Sequence, residues 1–166
     1  LPQFQFQQIS IFEKFAPLLG LDMRFKNGLT ANTEYRKSRT LNLSLQNGQL
    51  SLLNDKALVV GMGYRAADFR LPFGWFEQSR NKSDLNFRFD LSLNDLKTIV
   101  YQAESDISEV SAGNRSISIR PSVDYTINQR YSLRLFYDSN AVRPYTSQTF
   151  ATAYTNFGIV LRAVFQ

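Results

Sequence analysis

The strongest constraint on this chain is an alternation of period two. In RSISIRPSVDYTIN, Ile117, Ile119, Pro121, Val123, Tyr125 and Ile127 alternate with Ser116, Ser118, Arg120, Ser122, Asp124 and Thr126. Successive side chains of an extended strand point to opposite faces, so this spacing makes one face apolar and the other polar. SDLNFRFDLSLN repeats the arrangement, with Leu85, Phe87, Phe89, Leu91 and Leu93 set against Asn86, Arg88, Asp90, Ser92 and Asn94. RYSLRLFYD and LLGLDMRFK do the same, and helical periodicity is almost absent. The fold class is therefore all-β. Phe136, a large apolar residue on the polar side, has no account at this level.

Turn chemistry cuts the pattern into about eight strands, a count typical of antiparallel barrels. Their expected bounds are residues 4 to 12, 17 to 26, 29 to 46, 57 to 71, 84 to 101, 114 to 127, 130 to 142 and 149 to 166. Asn27-Gly28 predicts a two-residue hairpin, because both residues tolerate the positive φ of a type I′ turn. Leu53 to Lys56 and Ile127 to Gln129 are weaker turn candidates, and longer polar connections are expected at residues 72 to 83, 102 to 114 and 139 to 148. The apolar parity slips between Phe6 and Ile9, which predicts a bulge or a ragged start. Pro121, with no N–H to donate, predicts a local irregularity. No repeat, low-complexity tract or linker divides residues 1 to 166, so they are read as a single segment.

Composition removes most enzyme chemistry. The 166 residues hold no Cys and no His, which excludes disulfides, thiolate or imidazole metal sites and every triad built on a His base. No cofactor is expected and no catalytic or metal site is assigned. The net charge of +5 and pI near 9.6 arise from Lys and Arg scattered among Asp, not from a basic stripe, so nucleic acid is not an expected partner. With a mean hydropathy of −0.27 and no apolar run near 18 residues, helical membrane spans are excluded, whereas a membrane barrel is not. The opening LPQFQFQ has neither an initiator Met nor a signal segment, which points to a mature product or a fragment.

Alternation alone does not say whether the apolar face meets a core or lipid. The polar parity carries both signs of charge near strand centres, in Asp22, Arg24, Arg88, Asp90, Arg120, Asp124, Arg134, Asp138 and Arg162. These suit a wet lumen; turned to a bilayer midplane, each Arg would cost about 2 to 4 kcal/mol. The lipid-facing set is then Leu85, Phe87, Phe89, Leu91, Ile117, Ile119, Val123, Leu133, Leu135, Phe157, Ile159, Leu161 and Phe165. On that parity Leu29 to Tyr35 give way to Lys37 and Arg39, and Leu85 to Leu93 give way to Asp95 and Lys97. Charge returns after about 9 residues, near the 9 to 11 that a tilted strand needs to cross hydrocarbon. Beyond it Leu41, Leu43, Leu45, Ile99 and Tyr101 resume the apolar parity, either as projections that meet another surface or as packing between neighbouring strands.

The ending NFGIVLRAVFQ resembles the C-terminal signal of bacterial outer-membrane barrels, with Asn156, Gly158, Leu161 and Ala163 in its polar-x-Gly-x-x-apolar-x-apolar form. If that end lies at the periplasmic rim, the turns at Asn27-Gly28 and Asn128 are periplasmic, as is LPFGWFEQSRNKS, where Trp75 is a candidate headgroup anchor and Arg80 and Lys82 candidate contacts to lipid phosphate or a partner.

Four stretches carry a wider resemblance: FAPLLGLDMRFKNGLTANTEYRKSRTLNLSL from residue 15, VVGMGYR from residue 59, SDLNFRFDLSLNDLKTIVYQ from residue 83 and YSLRLFYDSNAVRPYTSQTF from residue 131. In this order they resemble the C-terminal region of the SprA/Sov family, the giant outer-membrane translocons of the type nine secretion system, which is linked to gliding motility. The resemblance implies a transmembrane barrel of about 36 strands, of which this chain would be a C-terminal wall segment. It also implies export of folded cargo bearing C-terminal signal domains, and partners that include the rest of the barrel, a PorV-type shuttle barrel, a periplasmic plug and a prolyl-isomerase-type subunit. The expected location is the bacterial outer membrane, and no enzyme activity is implied.

Alternatives remain. The arginines of the polar parity either line a transport lumen or pair locally with Asp22, Asp90, Asp124 and Asp138. Glu104, Asp106 and Glu109 match no calcium-loop spacing. A self-contained eight-strand outer-membrane barrel, acting as an anchor or adhesin, is the rival to the large translocon, and a soluble all-β binding module would have the opposite inside.

Overall fold

The computed structural model describes residues 7–46, 48–67, 69, 83–102, 105–127 and 130–164, with backbone alone at 105–107. Its strands are β1 Gln8–Arg24, β2 Leu29–Ser44, β3 Gln49–Ala66, β4 Asp84–Gln102, β5 Ser105–Thr126, β6 Tyr131–Pro144 and β7 Thr152–Ala163. They form one antiparallel sheet in the order β1-β2-β3-β4-β5-β6-β7, each strand paired with its neighbours in sequence. The described residues contain no helix. β1 and β7 make no contact with each other among the described residues, so the sheet is open and both outer edges are unpaired.

The sheet is one layer thick. Tyr125 is the single buried hydrophobic side chain among the described residues, at 8% exposure. Phe69 meets it edge-on with ring centroids 6.5 Å apart. A chain of this length that folded around its own core would bury about two thirds of its surface, and the described residues lack the second layer that this takes.

Seven strands replace the expected eight because the first two are one. β1 runs through residues 13 to 16 and shifts register against β2 between Phe15 and Leu19, where Phe15 faces Lys37 and Leu19 faces Tyr35. Three residues, Ala16 to Leu18, stand against Arg36 alone, so the shift is by two and the face is conserved. Pro17 sits in that gap, where its missing N–H breaks no ladder bond. The expected slip between Phe6 and Ile9 involves Phe6, outside the described residues.

The β1–β2 hairpin is tighter in register but longer in loop than a type I′ turn. Gly28 N–H donates to the Phe25 carbonyl at 3.2 Å and Phe25 N–H to the Leu29 carbonyl at 2.8 Å. The loop is therefore Lys26, Asn27 and Gly28, a three-residue connection in which Gly28 takes φ +83°. Leu53 to Lys56 is not a turn: β3 starts at Gln49 and passes straight through it. The turn precedes it, at Leu45, Gln46 and Gly48, the last with φ +59°. The polar run that looked like a loop is a mid-strand stretch charged on both faces.

Two expected loops are also mostly strand. β5 begins at Ser105, not 114, and β6 continues to Pro144, so most of 102 to 114 and of 139 to 148 extends hairpins. A register shift opposite Thr98 and Ile99 absorbs the one residue, Ser111, that breaks the alternation in that stretch, with Gly113 beside it at φ +138°. The irregularity expected at Pro121 is present: pairing of β5 with β6 lapses at Arg120 and Pro121 and resumes at Ser122 in the same register.

Candidate functional site

The register sorts every strand residue onto one of two faces. Arg24 faces Thr30, Asp22 faces Asn32, Arg88 faces Ser122, Asp90 faces Arg120, Asp124 faces Arg134, Asp138 faces Asn156 and Arg162 faces Ser132. All nine charged residues expected to point into a lumen thus share one face. Leu85, Phe87, Phe89, Leu91, Ile117, Ile119, Val123, Leu133, Leu135, Phe157, Ile159 and Leu161 share the other, since Leu85 faces Tyr125, Phe87 faces Val123, Leu91 faces Ile119, Leu133 faces Leu161 and Leu135 faces Ile159. Phe165, Trp75, Arg80 and Lys82 lie outside the described residues.

The apolar face is uncovered. Phe157, Ile159 and Leu161 of β7 are 65%, 62% and 63% exposed, and at the other edge Leu19 and Leu21 of β1 are 70% and 56% exposed. Burying one such side chain is worth about 1.5 to 3 kcal/mol, so a face this wide is costly to leave in water.

The polar face carries ion pairs both within and between strands: Arg36 meets Glu34 inside β2 at 2.6 Å, and Arg65 of β3 meets Asp84 of β4 at 2.8 Å. Arg134 Nε lies 3.6 Å from Asp124 Oδ1, and Arg120 Nε lies 3.9 Å from Asp138 Oδ1. Each joins β5 to β6. Arg24, Arg88, Arg162, Asp22 and Asp90 have no ion pair among the described residues, so local pairing accounts for four of the nine charges. Shallow hollows on this face are lined by Asp124, Arg134, Phe136, Asp138 and Arg162, and by Asn32, Gly63, Asn86, Arg88 and Asp90. They hold charge and amide groups but no nucleophile–base pair, and no group of three metal-ligating side chains occurs among the described residues.

Phe136 now has its account. It faces Gly158 across β6 and β7, and its ring occupies the space where a Cβ at residue 158 would be. The ring covers a glycine backbone and is thereby kept from standing up among the charges, an aromatic rescue across strands. Period-two reading could not find this, because the pairing of 136 with 158 is a register fact.

At one end of the apolar face the strands carry a transverse band of charge. Lys37 faces Lys56, Lys56 faces Asp95, Asp95 faces Arg115, and Arg115 faces Arg143. One row beyond, Glu13, Arg39, Asn54 and Lys97 stand side by side. Tyr145, just past β6, closes over this band: its hydroxyl donates to Asp95 Oδ1 at 2.6 Å, accepts from Arg115 at 3.1 Å, and its ring lies 5.7 Å from Lys97 Nζ. The bond to Asp95, helped by partial burial, raises the Tyr145 phenol above its ordinary range. Above the band β1 to β4 continue with Ile9, Ile11, Leu41, Leu43, Leu50, Leu52, Ile99 and Tyr101 on the same face. The strand-to-strand alignment of charge was implied by the common run length in the sequence; Tyr145 as its bridge was not.

The C-terminal ends of β1, β3, β5 and β7 lie at the same end of the sheet. No protein-family model matches this chain, and no characterised protein matches it.

Proposed function

We propose that this chain is a wall segment of a large transmembrane β-barrel in the bacterial outer membrane, serving as a protein-secretion translocon for folded cargo with C-terminal signal domains. The observation that carries the reading is the single-layered sheet whose apolar face has no cover and whose two edges are unpaired. In lipid the apolar face is already solvated, and the polar face, with Arg24, Arg88 and Arg162 unpaired, needs water. The resemblance of four stretches to the SprA/Sov family supplies the class of barrel and its partners: the remainder of the barrel, a PorV-type shuttle, a periplasmic plug, a prolyl-isomerase-type subunit and the cargo itself. The role is structural and carries no catalysis.

Edge geometry favours the large barrel over a self-contained small one. Every backbone donor and acceptor must be satisfied in hydrocarbon, so outer edges are viable only if other strands complete the ladder. A small closed barrel would join β1 to β7, and these strands stay apart.

The test is export. Phe89→Arg, on the middle rung of the apolar face, impairs insertion of the intact protein and leaves signal-bearing cargo in the periplasm, whereas Arg88→Leu, its neighbour on the polar face, is mild. Normal export with Phe89→Arg, or an intact protein that is a stable water-soluble monomer without detergent, would defeat the reading.

A further inference from the structure

The charged band is built to hold anions. Across β2 to β6 one row reads Lys37, Lys56, Asp95, Arg115, Arg143, and it places two like-charged pairs directly opposite each other, Lys37 with Lys56 and Arg115 with Arg143. Like charges directly opposed across strands destabilise a sheet. Arg115 is offset by Asp95 at 3.5 Å and by the Tyr145 hydroxyl. Lys37, Lys56 and Arg143 have no ion pair among the described residues, and neither has Arg39 in the adjoining row, although Glu13 stands opposite it. Counting both rows, six cations meet two carboxylates, Glu13 and Asp95. With strands about 4.8 Å apart, the row of five is about 19 Å wide.

Its position selects the anion. The row adjoins Tyr35, Leu58, Leu93, Ile117 and Ala141, the last rung of the apolar face. A ligand touching both must be anionic at one end and hydrocarbon at the other. We propose that this band is a binding site for the phosphate headgroups of membrane lipids, with the acyl chains lying on the apolar rungs beside it; at the outer rim of an outer membrane the matching lipid is lipid A with its two phosphates. This deepens the function proposed above and rests on it.

The test uses the intact protein in detergent and in nanodiscs. The probes are lipid A, phosphatidylglycerol, phosphatidylcholine and inorganic phosphate, with bound lipid counted by native mass spectrometry. The triple variant Lys37→Gln/Lys56→Gln/Arg143→Gln is compared with Arg24→Gln/Arg88→Gln/Arg162→Gln, which removes equal charge from the opposite face. At about fivefold per cation, the band variant loses roughly 100-fold in lipid A affinity and much of its salt dependence. The opposite-face variant keeps both. Equal loss in the two variants, lipid A held no better than phosphatidylcholine, or inorganic phosphate competing at the same concentration as lipid A each overturns the site while leaving membrane insertion intact. A protein that enters no bilayer overturns the membrane reading as well.

Discussion

On the proposed orientation, arginine placed at successive rungs of the apolar face of β4 turns membrane depth into a measured gradient. Leu85 to Leu93 advance along β4 by eight residues, which at about 3.3 Å each is about 26 Å of strand, and a tilt of about 40° reduces this to a height of about 20 Å. Phe89 sits midway, between Met62 and Pro121, while Leu93 sits between Leu58 and Ile117 and adjoins the row containing Lys56, Asp95 and Arg115. Phe89→Arg puts a guanidinium at the midplane and is expected to destabilise by about 2 to 4 kcal/mol, against about 0 to 1 kcal/mol for Leu93→Arg near the interface. Ser92→Arg, on the polar face, is expected to shift stability by less than about 0.5 kcal/mol. The assay is the denaturant midpoint of the intact protein refolded in vesicles, with the slope checked for constancy across the three variants. A dry protein core has no depth axis, so the apolar face of a soluble module would penalise Phe89→Arg and Leu93→Arg alike. Equal penalties at the two rungs would refute the bilayer argument.

Three further outcomes follow from named contacts. Gly158→Val drives a side chain into the Phe136 ring and costs about 1 to 3 kcal/mol; combining it with Phe136→Ala recovers part of that loss in the same unfolding assay, and additive losses would remove the aromatic cover from the account. A double-mutant cycle on Arg134 and Asp124, whose side chains are 58% and 38% exposed, gives a coupling below about 1 kcal/mol that falls further in salt. Tyr145→Phe removes the hydroxyl shared by Asp95 and Arg115 and is expected to cost about 0.5 to 1.5 kcal/mol, read as faster hydrogen exchange in the loop after β6; unchanged exchange would show the bridge to be idle.

Much of the fold was legible because a strand writes its two faces into the sequence at every second residue. The membership of each face followed from parity alone, and the register puts all the described residues of the charged set on one face and all those of the apolar set on the other. What parity could not locate was where strands begin, end or merge. Asn54, Asp55 and Lys56 have turn composition, yet they belong to β3 because the neighbouring strands are charged at the same height. The shift at Phe15 to Leu19 is even and keeps parity, so parity itself gave no ground for dividing β1 there, and the two expected strands are one. Extended hairpins at 105 to 114 and 139 to 144 were hidden by polar composition, yet the ladder sets Glu109 against Val100 and Ser139 against Ile119 and carries both stretches as strand.

The candidate surfaces divide along the same line. By itself the sequence determined that one face is apolar and one charged, that histidine and cysteine chemistry is absent, and that charge returns to the apolar side at a common depth. The tertiary arrangement alone decided that, among the described residues, no second layer covers the apolar face and β1 and β7 do not close on each other, that Phe136 rests on Gly158, and that lysines and arginines from four strands fall into one row. Those are properties of pairing between distant residues, and a backbone hydrogen bond carries no residue code: which strand lies beside which, and at what height, is settled by the sheet as a whole.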